Sequence, residues 1–248
     1  MVFTVRFLFL LYTYGMPVLC SITLLIGMII IYRKESLTKM LGVWAVAHGL
    51  GGVLSGMYTL IKTHLSVTNG PTINVCVTIL QVLLAIISVI ALFLFAKYRY
   101  KAKGLLAVAL IELLSFPLFL FISNTFLNTD HFEFSTLYRL TYLFEIIKSL
   151  FTIAAFIIIL IPYYKNRRRE RYLPKLWIYI LAYIIVSAVN NVSNIILVIA
   201  GPFDIGALDL ANIFMVVIAV VGMFVCPLTA VYILRKGQDQ SEVSRKRR

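Results

Sequence analysis

Glu145 and Lys148 stand three residues apart in a stretch that is otherwise almost pure hydrocarbon, and chemistry is to be sought there first. Tyr138, Thr141, Glu145, Lys148 and Thr152 follow one another at spacings of 3, 4, 3 and 4, which puts them on one face of a helix. The run from Tyr138 to Tyr164 is about 40 Å long as a helix, enough to cross a bilayer with some tilt. Lys148 then lies about ten residues in, near the membrane midplane, where a charge costs about 2.5–3.5 kcal/mol and calls for a partner. Glu145 is an i,i+3 partner on the same helix. Glu112, on the preceding helix, is offset from it by roughly 7 Å along the membrane normal, within reach of a lysine side chain. The expectation is a Lys148 shared between Glu112 and Glu145.

A second polar face runs through Tyr183, Ser187, Asn190 and Asn194, spaced 4, 3 and 4, with Asn191 beside them. Gln81 with Thr78 and Ser88, Ser115 with Glu112, and His48 with Ser55 and Thr59 add polar atoms to three further segments. Such faces point inward, because polar atoms facing lipid lack partners. Together they predict a polar cavity built from helices 2 to 6, with Glu112, Glu145, Lys148, Asn190, Asn194 and Gln81 as the ligand- or ion-site residues. The competing account is glue: interhelical hydrogen bonds of about 0.6 kcal/mol apiece explain the asparagines equally well. The ion pair is read as functional, since an apolar pair of similar volume often serves stability as well. Lone His48 is read as a packing residue.

The elements needed to hold these groups are seven membrane spans, near 7–32, 40–62, 73–97, 104–125, 138–164, 176–200 and 210–234, each with the mostly apolar length required. Asn69-Gly70-Pro71 and Gly201-Pro202 are turn signals, and Leu173-Pro174 marks a helix start. Pro17, Pro117 and Pro227 predict kinks within their spans. The fold class expected is an all-α integral membrane protein: one seven-helix domain over 1–234 and a short basic tail over 235–248.

Orientation follows from lysine and arginine. The stretches 33–39, 97–103 and 165–175 and the tail are rich in them, whereas the opposite side offers Arg6, Lys62 and Arg139 and carries Asp130, Glu133, Asp204 and Asp209. The positive-inside rule then places the N-terminus outside and the tail in the cytoplasm, most simply at the plasma membrane. Arg167, Arg168 and Arg169 are candidates for anionic lipid, at about 1 kcal/mol per basic residue near the surface.

Composition supports this class. Of 248 residues, 61% are apolar and 13% charged, against roughly 25% charged in soluble chains, and the mean hydropathy is +0.96. The net charge of +13 sits at segment ends, as topology requires, so nucleic acid is not an expected partner. Cys20, Cys76 and Cys226 all fall in apolar segments and offer no disulfide framework. The apolar run 7–32 is too long for a signal-peptide core and is followed by Arg33-Lys34, so it is read as a retained span.

Motif checks exclude more than they assign. A G-protein-coupled receptor wants Asp-Arg-Tyr at the end of helix 3, where this chain has Lys97-Tyr98-Arg99-Tyr100; helix 7 has Cys226-Pro227 but no Asn-Pro-x-x-Tyr. A microbial rhodopsin wants a mid-helix lysine in 210–234, which has none. Ser55 lacks the glycine two before it that a rhomboid protease has, and His48 is about 10 Å along the helix from it. The chain is not expected to be an enzyme, and no cofactor or metal is expected. Gly49, Gly52 and Gly56 recur with Ala45 at helical spacing and predict close internal packing rather than a dimer contact. Asn191-Val192-Ser193 fits the glycosylation pattern but lies mid-membrane. The first functional expectation is a small-ligand receptor or sensor acting through a separate cytoplasmic partner; the alternative is an ion- or proton-coupled solute transporter, and the third reading a structural or assembly subunit.

Overall fold

The computed structural model describes residues 2–33, 36–64, 71–114, 134–170, 173–200 and 205–245, and every regular element among them is a helix. In chain order these are α1 (Val2–Arg33), α2 (Ser36–His64), α3 (Pro71–Tyr100), α4 (Leu105–Leu114), α5 (Phe134–Lys165), α6 (Leu176–Ala200) and α7 (Ile205–Arg245). All but α4 are, by length and composition, able to cross a membrane. The remainder of the expected fourth span, with Ser115 and Pro117, lies outside the described residues.

Helices form here because in hydrocarbon every backbone N–H and C=O must be satisfied within its own segment. Their burial pattern is inverted relative to a water-soluble protein. On α1, Leu10, Tyr14, Val18, Ile22, Leu25 and Ile29 are exposed along one face, while Thr13, Cys20 and Thr23 are buried on the other. On α6, Ile178, Ile185, Ile195 and Ile199 face outward and Asn191, Ser193 and Asn194 face inward. Contiguous apolar surface of this extent needs a lipid or protein cover. The chain is an integral, multi-pass membrane protein.

The helices close into a ring: α1 packs on α2, α2 on α3, α3 on α5, α5 on α6, α6 on α7, and α7 back on α1. The α1–α2 seam is the tightest, because glycine lets the backbones meet. A β-carbon on Gly49 would lie 2.6 Å from the Leu24 amide nitrogen and 2.8 Å from the Cys20 carbonyl oxygen. One on Gly52 would run into Cys20, and one on Gly56 into the Pro17 ring at 2.9 Å. The small-residue face of α2 is therefore internal packing against α1, as its spacing predicts.

The dry core gathers at one end of the bundle. Ile30, Leu41, Phe93, Phe95, Ile159 and Ile233 are fully buried, and they come from the end of α1, the start of α2, the ends of α3 and α5 and the end of the apolar stretch of α7. This is the end that bears the basic loops. There α3 stops at Lys101, whose φ of 54° leaves the helical region, and Gly104 (φ 113°) turns the chain into α4. Gly104 lies against Ile158 and Phe93, which starts α4 at the α3–α5 seam.

Candidate functional site

The α3–α5 seam holds a cavity of about 240 Å³. Its polar lining is Gln81 from α3, Glu112 from α4, and Lys148 and Thr152 from α5. Val82, Ala85 and Ile86 of α3 supply an apolar wall. Glu112 is 4% exposed, although the leucines around it, Leu110, Leu113 and Leu114, face outward; with Val108 one turn earlier it forms the buried face of α4. Lys148 forms an ion pair with Glu145 on its own helix, and both side chains are partly exposed. The Thr152 hydroxyl donates back to the Lys148 carbonyl at 3.3 Å, so it turns its lone pairs, not its proton, toward the cavity.

Three of the six expected site residues, Gln81, Glu112 and Lys148, thus line one cavity, and Glu145 is joined to it through Lys148. Asn190 and Asn194 are not among its lining residues. They lie on α6, which packs on α5 and α7. There Asn191 and Asn194 are buried, whereas Asn190 is half-buried at the edge of the stripe. The Asn191 Oδ1 and Ser193 Oγ atoms are buried with no hydrogen bond among the described residues. Among the described residues the cavity's lining comes from α3, α4 and α5 rather than from all of helices 2 to 6. The helix-2 histidine goes elsewhere. His48 stacks on Trp44 with ring centroids 6.1 Å apart and meets Tyr183 edge-on at 6.0 Å, while Tyr183 stacks on Phe156 at 4.6 Å. That column is packing, and it borders a void of about 20 Å³, room for a single water.

Among the described residues no three His, Cys, Asp or Glu side chains gather as metal ligands would. Cys20 and Cys226 are buried thiols and Cys76 an exposed one.

A second constellation, at the basic end, escapes sequence reasoning. Arg99, in the last turn of α3, forms a forked pair with Glu170: Nε donates to Oε2 and Nη2 to Oε1, both at 2.9 Å. The Glu170 side chain is 4% exposed, that of Arg99 40%. Tyr100 lies close to the same carboxylate. Glu170 is presented by a short turn beyond α5, which Asn166 holds by donating from its side chain to the Pro162 carbonyl at 2.8 Å and by accepting the Glu170 amide at 2.9 Å. Nearby, the buried Tyr163 hydroxyl donates to the Leu92 carbonyl at 2.9 Å, and Tyr163 stacks on Phe95. The Lys175 amide donates to the Tyr232 hydroxyl at 2.9 Å, which ties the start of α6 to α7. The first contacts latch the end of α3 to the end of α5 and the turn beyond it, and the last joins the start of α6 to α7. The only cue in the sequence was a single acidic residue in the basic stretch 165–175.

The three arginines before Glu170 are not equivalent. Arg167 folds back, its guanidinium 3.6 Å from the Tyr164 ring centroid and bonded to the Tyr164 carbonyl, while Arg168 and Arg169 stay exposed.

No family model, no curated protein and no solved structure matches this chain.

Proposed function

We propose that the protein is a seven-span receptor or sensor for a small ligand, in the plasma membrane, with its N-terminus outside and its basic tail in the cytoplasm. The observation that carries this reading is the cavity between α3, α4 and α5, lined by Gln81, Glu112, Lys148 and Thr152. Ionisable groups kept inside a hydrocarbon-facing bundle mark a binding or conduction site by default. At about 240 Å³ the cavity falls below the range of about 300–1,000 Å³ usual for drug-sized ligands, so its occupant is small. The proposed count of seven includes the fourth span read from the sequence at 104–125, of which α4 is the described part, and the whole chain to 234 acts as one domain. Signal output passes to a separate cytoplasmic protein at the basic end, where Arg168 and Arg169 also meet anionic lipid. No catalytic role is assigned.

The second reading is a coupled transporter, favoured by charged groups at membrane depth and by prolines inside α1 and α7. The third is an assembly subunit. Purified protein in proteoliposomes and in nanodiscs separates them. Saturable ligand-induced stabilisation without flux supports the receptor; flux of proton or solute supports the transporter. A stoichiometric membrane partner on purification, with neither of those signals, supports the subunit.

A further inference from the structure

We infer that the turns after α3 and α5 form one headgroup site for a multiply charged lipid, an inositol lipid carrying phosphate monoesters. This deepens the lipid contact proposed above for Arg168 and Arg169, and it rests on that reading. The two turns belong to distant parts of the chain, and the Arg99–Glu170 fork joins them. Lys101 and Lys103 follow closely on Arg99, and Arg168 and Arg169 immediately precede Glu170. All four side chains are exposed, whereas the Glu170 side chain is 4% exposed and engaged with Arg99. Tyr100 reinforces the junction from the α3 side, its ring centroid 5.3 Å from that of Tyr163 on α5. Stretches 97–103 and 165–175 contain no acidic residue besides Glu170, so both turns are cationic throughout. Arg167 takes no part, because its guanidinium lies on the Tyr164 ring.

Depth favours a lipid over a soluble partner. The apolar spans of α3 and α5 run to Tyr100 and Lys165, so both turns begin where the hydrocarbon ends. Tyr98 and Tyr164 are exposed at this level, the place of an interfacial aromatic belt. Neither turn carries its charges away from the bilayer. Residues 101–104 only bridge α3 and α4, and the turn to Glu170 is folded back onto α5 through Asn166, which bonds to Pro162 and to Glu170. The anions at that level are lipid phosphates. Charge multiplicity then selects among them. A serine phospholipid brings a single net charge and leaves most of these cations to solvent. Each phosphate monoester brings about 1.5–2 negative charges and three acceptor oxygens, which arginine forks bind bidentately. Clusters of about four to eight basic residues beside a span hold anionic lipids, multiply phosphorylated headgroups among them.

The test is tryptophan quenching in the full chain, reconstituted in phosphatidylcholine nanodiscs at constant ionic strength. Trp177, at the start of α6, packs on Tyr164 with ring centroids 5.4 Å apart and reports from this face. Trp44→Phe leaves it as the sole tryptophan. Phosphatidylinositol bisphosphate with brominated acyl chains is expected to quench at a mole fraction at least about tenfold lower than brominated phosphatidylserine, with brominated phosphatidylcholine setting the random level. Arg168→Gln with Arg169→Gln is expected to weaken that preference at least about tenfold, since each basic residue near the surface is worth about fivefold. Lys101→Gln with Lys103→Gln is expected to do the same from the other turn. Glu170→Gln is expected to weaken it too, although it removes a negative charge, because the turns then part; should that variant not fold, the lysine pair decides. Equal quenching by the two anionic lipids overturns the multiply charged headgroup and leaves the lipid contact standing. A preference lost in the arginine pair but kept in the lysine pair overturns the joined site, and one strengthened by Glu170→Gln overturns the positioning role of the latch. If neither anionic lipid quenches above the phosphatidylcholine level, the face is left to a cytoplasmic protein and the lipid contact of Arg168 and Arg169 falls as well. Both leaflets of a nanodisc hold the same lipids, so the outcome does not depend on the proposed orientation.

Discussion

Adding one methyl group to Gly49 is expected to pry α1 from α2, and its magnitude follows from the seam. The new β-carbon would stand 2.6 Å from the Leu24 nitrogen, 2.8 Å from the Cys20 oxygen and 2.9 Å from the Leu24 α-carbon. Favourable contact starts at about 3.5 Å, so the helices must separate by nearly 1 Å. All three obstacles are backbone atoms, and no side-chain rotation relieves them. A gap of that size forfeits about a quarter to a half of each dispersion well along the seam, and overpacking of this kind costs about 1–3 kcal/mol. Alanine returns up to about 1 kcal/mol in helix propensity over glycine. The net loss is about 1–2 kcal/mol, or about 2–8 °C in midpoint for a chain of this size. Gly51 is the matched control, since its β-carbon would meet only Leu84 at an ordinary 3.8 Å. Gly51→Ala is expected to melt at or slightly above the wild type. Both variants should be unfolded thermally in the same detergent, with helicity as the signal. If Gly49→Ala is as stable as Gly51→Ala, the close α1–α2 approach is wrong.

Glu170→Gln leaves the Arg99 guanidinium without its carboxylate partner. The expected loss is about 1–3 kcal/mol, less than for a fully buried pair because Arg99 is 40% exposed; hydrogen exchange at 166–170 should rise with it, and unchanged exchange would refute the latch. Tyr163→Phe removes the hydroxyl that donates to the Leu92 carbonyl and is expected to lower stability by about 1–2 kcal/mol, read from the same melts. In folded protein Cys76 is expected to react with a maleimide well before Cys20 and Cys226, which are buried. On intact cells an impermeant maleimide should reach Cys76, and a cysteine placed by Arg168→Cys only after permeabilisation; the reverse order would invert the proposed orientation.

The long helices were legible because hydrocarbon imposes a length and a composition that few other structures need, and the six long helices enclose their expected spans. On α3 and α5 helical periodicity singled out Gln81, Lys148 and Thr152, and these side chains line one cavity together with Glu112. What periodicity alone misses is phase. Asn190 and Asn191 are neighbours in sequence, and only the packing of α6 on α5 and α7 shows that Asn191 is the buried one. The Arg99–Glu170 pair was illegible for a different reason. Its members are separated by 71 residues, and Arg99 resembles any topology-setting charge until α3 and α5 are docked. In the same way, Arg167 reads as a lipid-facing charge and is found lying on Tyr164.

Helix α7 is 41 residues long, about 60 Å, twice the thickness of a bilayer's hydrocarbon. Its apolar stretch ends near Lys236, yet the helix continues to Arg245. A continuous helix is a stiff shaft: torque or tilt applied to one end arrives at the other, softened only where Pro227 omits a backbone hydrogen bond. Tilt or torque on the last described turns of α7 would therefore reach Tyr232, and through it the start of α6. Shortening or breaking the shaft beyond Lys236 would uncouple those turns while leaving the membrane-embedded part of α7 whole.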